Sequence, residues 1–206
     1  MEGLVASILN VAAIFFVVLF SIVLHEVAHG YAALKFGDPT AKNQGRLTLN
    51  PAVHIDPFGS IILPGILYLI GAPILAWAKP VPVNFGALWP RRLGMFVVSI
   101  AGVVVNISIA LMGALVLRLV GMQGIISNAI AFVVIINLVL FVFNLVPIPP
   151  LDGSRLWMMW LPEEQQKRIH ENTFFFFFML IMLIPYLPVG RVVYSLFTVL
   201  TGFSLR

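Results

Sequence analysis

From Leu4 to Leu24 the chain carries no charged residue (LVASILNVAAIFFVVLFSIVL), and it then runs straight into Leu24-His25-Glu26-Val27-Ala28-His29-Gly30. A run of this kind is long enough to cross ~30 Å of hydrocarbon as a helix. No basic segment precedes it and no small-residue cleavage site follows, so it reads as a membrane helix rather than a signal peptide. His25 and His29 are one helical turn apart and share a face, and Glu26 lies about 100° round from His25. Ionisable groups at membrane depth are costly unless paired or functional, which favours a metal over a pair of packing histidines. The His-Glu-x-x-His spacing is that of a zinc site whose glutamate acts as general base.

Composition decides what surrounds this turn. With 61% hydrophobic and 10% charged residues, the chain is not a soluble domain, and 206 residues leave room for a handful of membrane helices. The net charge of +4 comes from Lys and Arg set between apolar runs, positions that orient a membrane protein and are no sign of nucleic-acid binding. There is no cysteine, so any metal must be held by histidine, carboxylate, carbonyl or water. The acids are Glu2, Glu26, Asp38, Asp56, Asp152, Glu163, Glu164 and Glu171, and the histidines are His25, His29, His54 and His170.

The expected fold is an all-α polytopic membrane protein in one domain, 1–206. Its core is three transmembrane helices, with a re-entrant and β-hairpin region and one or two C-terminal helices. The first helix is predicted over 3–36, stopped by Gly37-Asp38-Pro39. Residues 37–92 form the re-entrant and short-strand region. There, Gly45-Arg46-Leu47-Thr48-Leu49-Asn50-Pro51 and Val81-Pro82-Val83-Asn84 have strand character, and breaks at Pro64-Gly65 and Gly71-Ala72-Pro73 interrupt the apolar run Phe58–Ala78. A second span covers 93–118, and a third falls within 127–153, ending at Asn144-Leu145-Val146-Pro147-Ile148-Pro149-Pro150-Leu151-Asp152-Gly153. The polar stretch Arg155–Glu171 is expected as an interfacial loop. Residues 173–205, broken at Pro185 and Pro188, make one or two further membrane segments.

Two histidines leave zinc short of the usual three protein ligands. Asp152 is the leading third ligand, because a proline-rich turn holds it and Gly153 allows tight backbone approach. His54 and Asp56, on a turn-like loop, are the rivals. Topology supports Asp152: Lys35, Lys42 and Arg46 put the far end of the first helix on the cytoplasmic side. Asp152 meets the His pair at that depth only if the third span runs the same way, as the basic pair Arg91/Arg92 independently requires.

His25-Glu26-x-x-His29 together with Asn144-x-x-Pro147-x-Pro149-x-x-Asp152-Gly153 resembles the site-2 protease family of intramembrane zinc metalloproteases. The segments 45–51 and 78–84 resemble its short prokaryotic branch without PDZ or CBS domains. The chain departs from the pattern at Ala101-Gly102-Val103, where many members carry a proline after Ala-Gly. The resemblance implies one zinc per chain on His25, His29 and Asp152, Glu26 as catalytic base, and Asn144 as a substrate-positioning residue. It implies a prokaryotic cell-membrane enzyme with a cytoplasm-facing site, cleaving transmembrane segments of other membrane proteins by metal-activated water. The competing class is a non-proteolytic membrane metal protein or transporter. Polar residues spread through the spans would favour that class, and few lie between Leu93 and Phe143.

Overall fold

A computed structural model describes residues 2–69, 71 and 78–204. Nine α-helices occur among them: α1 (Glu2–Lys35), α2 (Thr40–Asn43), α3 (Leu63–Leu69), α4 (Arg91–Val120), α5 (Ile125–Asn144), α6 (Asp152–Met158), α7 (Glu163–Glu171), α8 (Thr173–Leu183) and α9 (Val189–Thr201). Three of these are long and apolar enough to cross a membrane: α1 over Ala12–Lys35, α4 and α5. They pack in the order α1, α4, α5, with α6 against α4 and α9 against both α4 and α5.

The three spans are helical because nothing in them competes with the helix. Their interiors are unbroken by proline, and their backbone groups must pair internally where there is no water. Leu19, Val23 and Val27 bury one face of α1, while Phe15, Phe16 and Phe20 point outward. On α4 the buried stripe is small and polar as well as apolar: Ser99, Gly102, Val103, Asn106 and Ala110 face inward, and Leu111, Met112 and Leu115 face out. An apolar exterior around a partly polar interior is the arrangement lipid selects, because small inward residues let helices approach closely. The protein is a membrane protein.

The far end of the bundle is tied by a second core. Ala110, Leu117, Val134, Leu138, Val193 and Phe197 interlock α4, α5 and α9. Arg118 clamps the join, donating from Nε to the Leu200 carbonyl and from Nη2 to the Val199 carbonyl, both at 2.6 Å. A cation there meets the negative end of the α9 dipole.

Three expectations change. No β-strand occurs among the described residues: 45–51 is turn and coil leading into a 3-10 turn (Pro51–Val53), and 78–84 is extended coil. The chemistry explains the second case. Pro80 and Pro82 have no N–H, and the Val81 N–H is taken by the Glu26 carboxylate, so most of one ladder edge is missing. In the Phe58–Ala78 stretch, expected as re-entrant, the predicted break at Pro64-Gly65 falls within the first turn of α3, which follows a π-helical turn (Pro57–Ile62), and the Ala72-Pro73 part of the second predicted break lies outside the described residues. Finally, the expected polar loop Arg155–Glu171 is mostly helical, formed by the end of α6 and by α7 with a turn at 159–162 between them. In α7 the Arg168–Glu164 and Lys167–Glu171 pairs at i,i+4 spacing support an exposed helix.

The C-terminal membrane region resolves into two helices, α8 and α9, separated by a 3-10 turn (Ile184–Tyr186) at the predicted proline breaks. The axis of Thr173–Tyr186 is bent 66° from α7.

Candidate metal centre

The helix carrying His25 and His29 is fixed at its C-terminal end by the loop that follows. Asp38 is fully buried: it accepts from the Thr40 N–H at 2.9 Å through Oδ1 and from the Asn84 N–H at 2.6 Å through Oδ2. The Trp89 N–H donates to the Phe36 carbonyl at 2.8 Å. Ala33, Leu88, Met95 and Val98 then close a small core beneath these bonds. The end of α1 is thereby locked to the start of α4.

Asp152 arrives from the other direction. After Asn144 the chain reverses through Leu145–Leu151, and Ser154 caps the turn by donating from Oγ to the Leu151 carbonyl at 2.7 Å. Gly153 sits against the chain it has just left, and a Cβ there would lie 2.3 Å from the Leu145 carbonyl oxygen. No side chain fits, so glycine is what lets Asp152 fold back onto α1.

The result is a triangle. His25 Nε2 and His29 Nε2 are 3.0 Å apart, and each is 3.0 Å from Asp152 Oδ2. All three residues are buried. His29 Nδ1 donates to the Val98 carbonyl, and His25 Nδ1 donates to Asn106 Oδ1, both at 2.6 Å. With the Nδ1 positions carrying the protons, the two Nε2 atoms of neutral imidazoles present lone pairs to each other and to a carboxylate oxygen. One added proton could bridge only one edge of that triangle; a cation at its centre satisfies all three. Ligand atoms of a tetrahedral zinc with ~2.0–2.1 Å bonds stand ~3.3 Å apart, close to this spacing. Among the described residues, His25, His29 and Asp152 form the one group of His, Asp and Glu side chains able to hold a metal ion.

The surroundings make the arrangement rigid and leave room at its centre. Arg155 Nη1 donates to Asp152 Oδ1 at 3.2 Å, leaving Oδ2 for the triangle. Gly102 on α4 faces the two imidazoles: a Cβ there would lie 2.4 Å from His25 Cε1 and 2.5 Å from both Nε2 atoms.

The other expected site residues lie elsewhere in the bonding scheme. Glu26 is half-buried beside His25, and its Oε2 accepts from the Val81 N–H at 2.8 Å. Asn144 donates from Nδ2 to the Leu140 carbonyl at 3.0 Å, one turn back in its own helix. His54 is buried and donates from Nε2 to the Thr48 carbonyl at 2.9 Å. Asp56 caps the turn after it, accepting from the Gly59 N–H at 2.6 Å. Neither rival ligand joins the triangle.

Sequence reasoning gave Gly102, Asn106 and Arg155 no place at the metal. A signal for the first two was present. They lie four apart on one face of an apolar span, and an asparagine in the middle of a membrane helix demands a partner.

Curated relatives align with this chain. Over 145 residues it is 44% identical to "Putative zinc metalloprotease YwhC" of Bacillus subtilis (strain 168), covering 66% of this chain and 63% of that protein. Over 194 residues it is 31% identical to "Putative zinc metalloprotease Rip2" of Mycobacterium tuberculosis (strain ATCC 25618 / H37Rv), covering 91% of this chain and 73% of that protein. The chain belongs to the site-2 protease family. No family model matches it, and no solved structure does. The chain spans less than two thirds of the B. subtilis relative, whereas the mycobacterial match runs over nearly the whole chain, the segments of both His25/His29 and Asp152 included.

Proposed function

We propose that this chain is an intramembrane zinc metalloprotease, a single membrane domain that hydrolyses peptide bonds within transmembrane segments of other proteins. The observation that carries the reading is the triangle of ligand atoms on His25, His29 and Asp152, built where a bilayer-length helix meets the turn after another. His25, His29 and Asp152 would hold one zinc. When bound, the metal supplies Lewis-acid polarisation of the scissile carbonyl and makes water acidic enough to act as a nucleophile near neutral pH.

Glu26 is the general base. It takes the proton of the attacking water and passes it to the departing amine. Its Oε2 is held by the Val81 N–H, which fixes the carboxylate on the His25 side of the loop and leaves Oε1 for the proton. Asn144 positions substrate by exchanging the Leu140 carbonyl for a substrate carbonyl, an exchange its half-buried place at the end of α5 allows. The substrate enters from lipid as a helix and must unwind, because its peptide groups are internally bonded until then. A site toward the cytoplasmic face of a bacterial cell membrane is the reading that the positive-inside tendency of Lys35, Lys42, Arg46, Arg91 and Arg92 supports. The partners are the bilayer and a membrane-protein substrate, with no nucleic acid.

The test is Glu26→Gln in purified protein with a transmembrane substrate in liposomes. The variant should keep one zinc per chain and lose cleavage by a factor of ~10² or more. A wild type that cleaves no membrane substrate, yet moves metal across the bilayer in a His25- and His29-dependent way, would establish the transporter class instead.

A further inference from the structure

The bonds that set the His25 ring do not stop at Asn106. Asn106 Nδ2 donates to Asn137 Oδ1 at 2.9 Å. Asn137 Nδ2 donates in turn to the Val133 carbonyl at 2.9 Å and to Ser21 Oγ at 3.0 Å. Asn106 and Asn137 are fully buried and Ser21 is nearly so, which makes this a continuous polar chain through the middle of an otherwise apolar bundle.

An asparagine amide can be inserted two ways, oxygen or nitrogen first, and here each step fixes the next. The Val133 carbonyl can only accept, so the Asn137 amide must turn its NH2 end that way and its oxygen toward Asn106. The Asn137 oxygen can only accept, so Asn106 must turn its own NH2 end there and its oxygen toward His25. The Asn106 oxygen can only accept, so neutral His25 carries its proton on Nδ1 and its lone pair on Nε2. Inverting any one amide sets two oxygens face to face where no water can separate them.

We infer that Asn137 on α5 is a positioning residue for the metal centre: acting through Asn106, it fixes His25 in the tautomer whose Nε2 faces His29 and Asp152. His29 needs no such relay, because its Nδ1 bonds directly to the Val98 backbone carbonyl. Polar partners behind metal-bound histidines set ring orientation and ligand basicity in this way. The inference rests on the zinc reading of the triangle.

The experiment measures the zinc dissociation constant of the purified full chain by competition with a chromophoric chelator, alongside the unfolding midpoint of the metal-free protein. Asn137→Leu removes the fixed acceptor, lets Asn106 turn over, and should weaken zinc about tenfold. Asn137→Ala serves the same purpose should the leucine variant not fold. Asn137→Asp keeps the pattern, since a buried carboxylic acid accepts at one oxygen and donates from the other, and it should stay within about threefold of wild type. Ser21→Ala should do likewise, because the Val133 carbonyl still orients Asn137.

A purely structural role predicts a lower metal-free midpoint with unchanged zinc affinity in Asn137→Leu, and that result overturns the inference. Asn137→Asp binding as weakly as Asn137→Leu overturns it as well. A wild type that takes up no zinc overturns the zinc reading and the inference with it.

Discussion

Gly102→Ala tests the metal centre by adding one methyl group. Its Cβ would lie 2.4 Å from His25 Cε1 and 2.5 Å from both Nε2 atoms. Ordinary van der Waals contact begins near 3.4 Å, so both rings must retreat by about 1 Å. They cannot do so freely, because His25 is bonded to Asn106 and His29 to Val98, on the same helix that carries the methyl. Either the Nδ1 bonds stretch or α4 moves away from α1. Overpacking of this kind costs about 1–3 kcal/mol. If that cost falls on the metal-binding geometry, each 1.4 kcal/mol is a factor of ten, so zinc should bind roughly 5- to 150-fold more weakly. Gly190→Ala is the control, since a Cβ there meets nothing within 4 Å. The assay is zinc competition on both variants, with thermal unfolding as a check on folding. A folded Gly102→Ala protein that binds zinc as tightly as Gly190→Ala would refute the claim that Gly102 makes room for the centre.

Gly153→Ala should act on the third ligand: a Cβ 2.3 Å from the Leu145 carbonyl oxygen must push the turn open and carry Asp152 away, and zinc content should fall well below one per chain on elemental analysis. His54→Leu and Asp56→Asn should leave zinc content unchanged, because those side chains serve the Thr48 and Gly59 backbone; a loss of metal in either would restore them as ligands. His170 gives a pH-dependent prediction. Partial desolvation and then the nearby Arg155 guanidinium lower the pKa of this largely exposed histidine from 6.5, so the unfolded chain binds the proton more readily. Its contribution to stability is full above pH 6.5 and declines as the pH falls below that value. His170→Gln should therefore flatten the acid-side fall in melting temperature, and an unchanged slope would contradict this.

Much of the centre was legible because membrane depth makes polar residues conspicuous. His25, His29 and Asp152 stood out as ionisable groups at the ends of apolar runs. The three long helices were equally plain, since an unbroken apolar run has one way to satisfy its backbone. The segment between the halves was not. Strand-like residues at 45–51 and 78–84 fold as turn and coil, because the partners of Arg46, Val81 and Asn84 are a backbone carbonyl, Glu26 and Asp38 rather than a second strand. Those contacts depend on tertiary placement, which local propensity does not encode. The roles of Asn106 and Gly102 beside the imidazoles were hidden for a related reason: they follow from what α1 brings opposite them.

The most direct test of the account is the zinc content of Asp152→Ala beside Glu26→Gln, read by elemental analysis and X-ray absorption on purified protein. The account predicts one zinc per wild-type chain with two imidazoles in its shell, retained in Glu26→Gln and lost in Asp152→Ala. A folded Asp152→Ala protein that holds a full zinc on the same two imidazoles, as tightly as wild type, would contradict it.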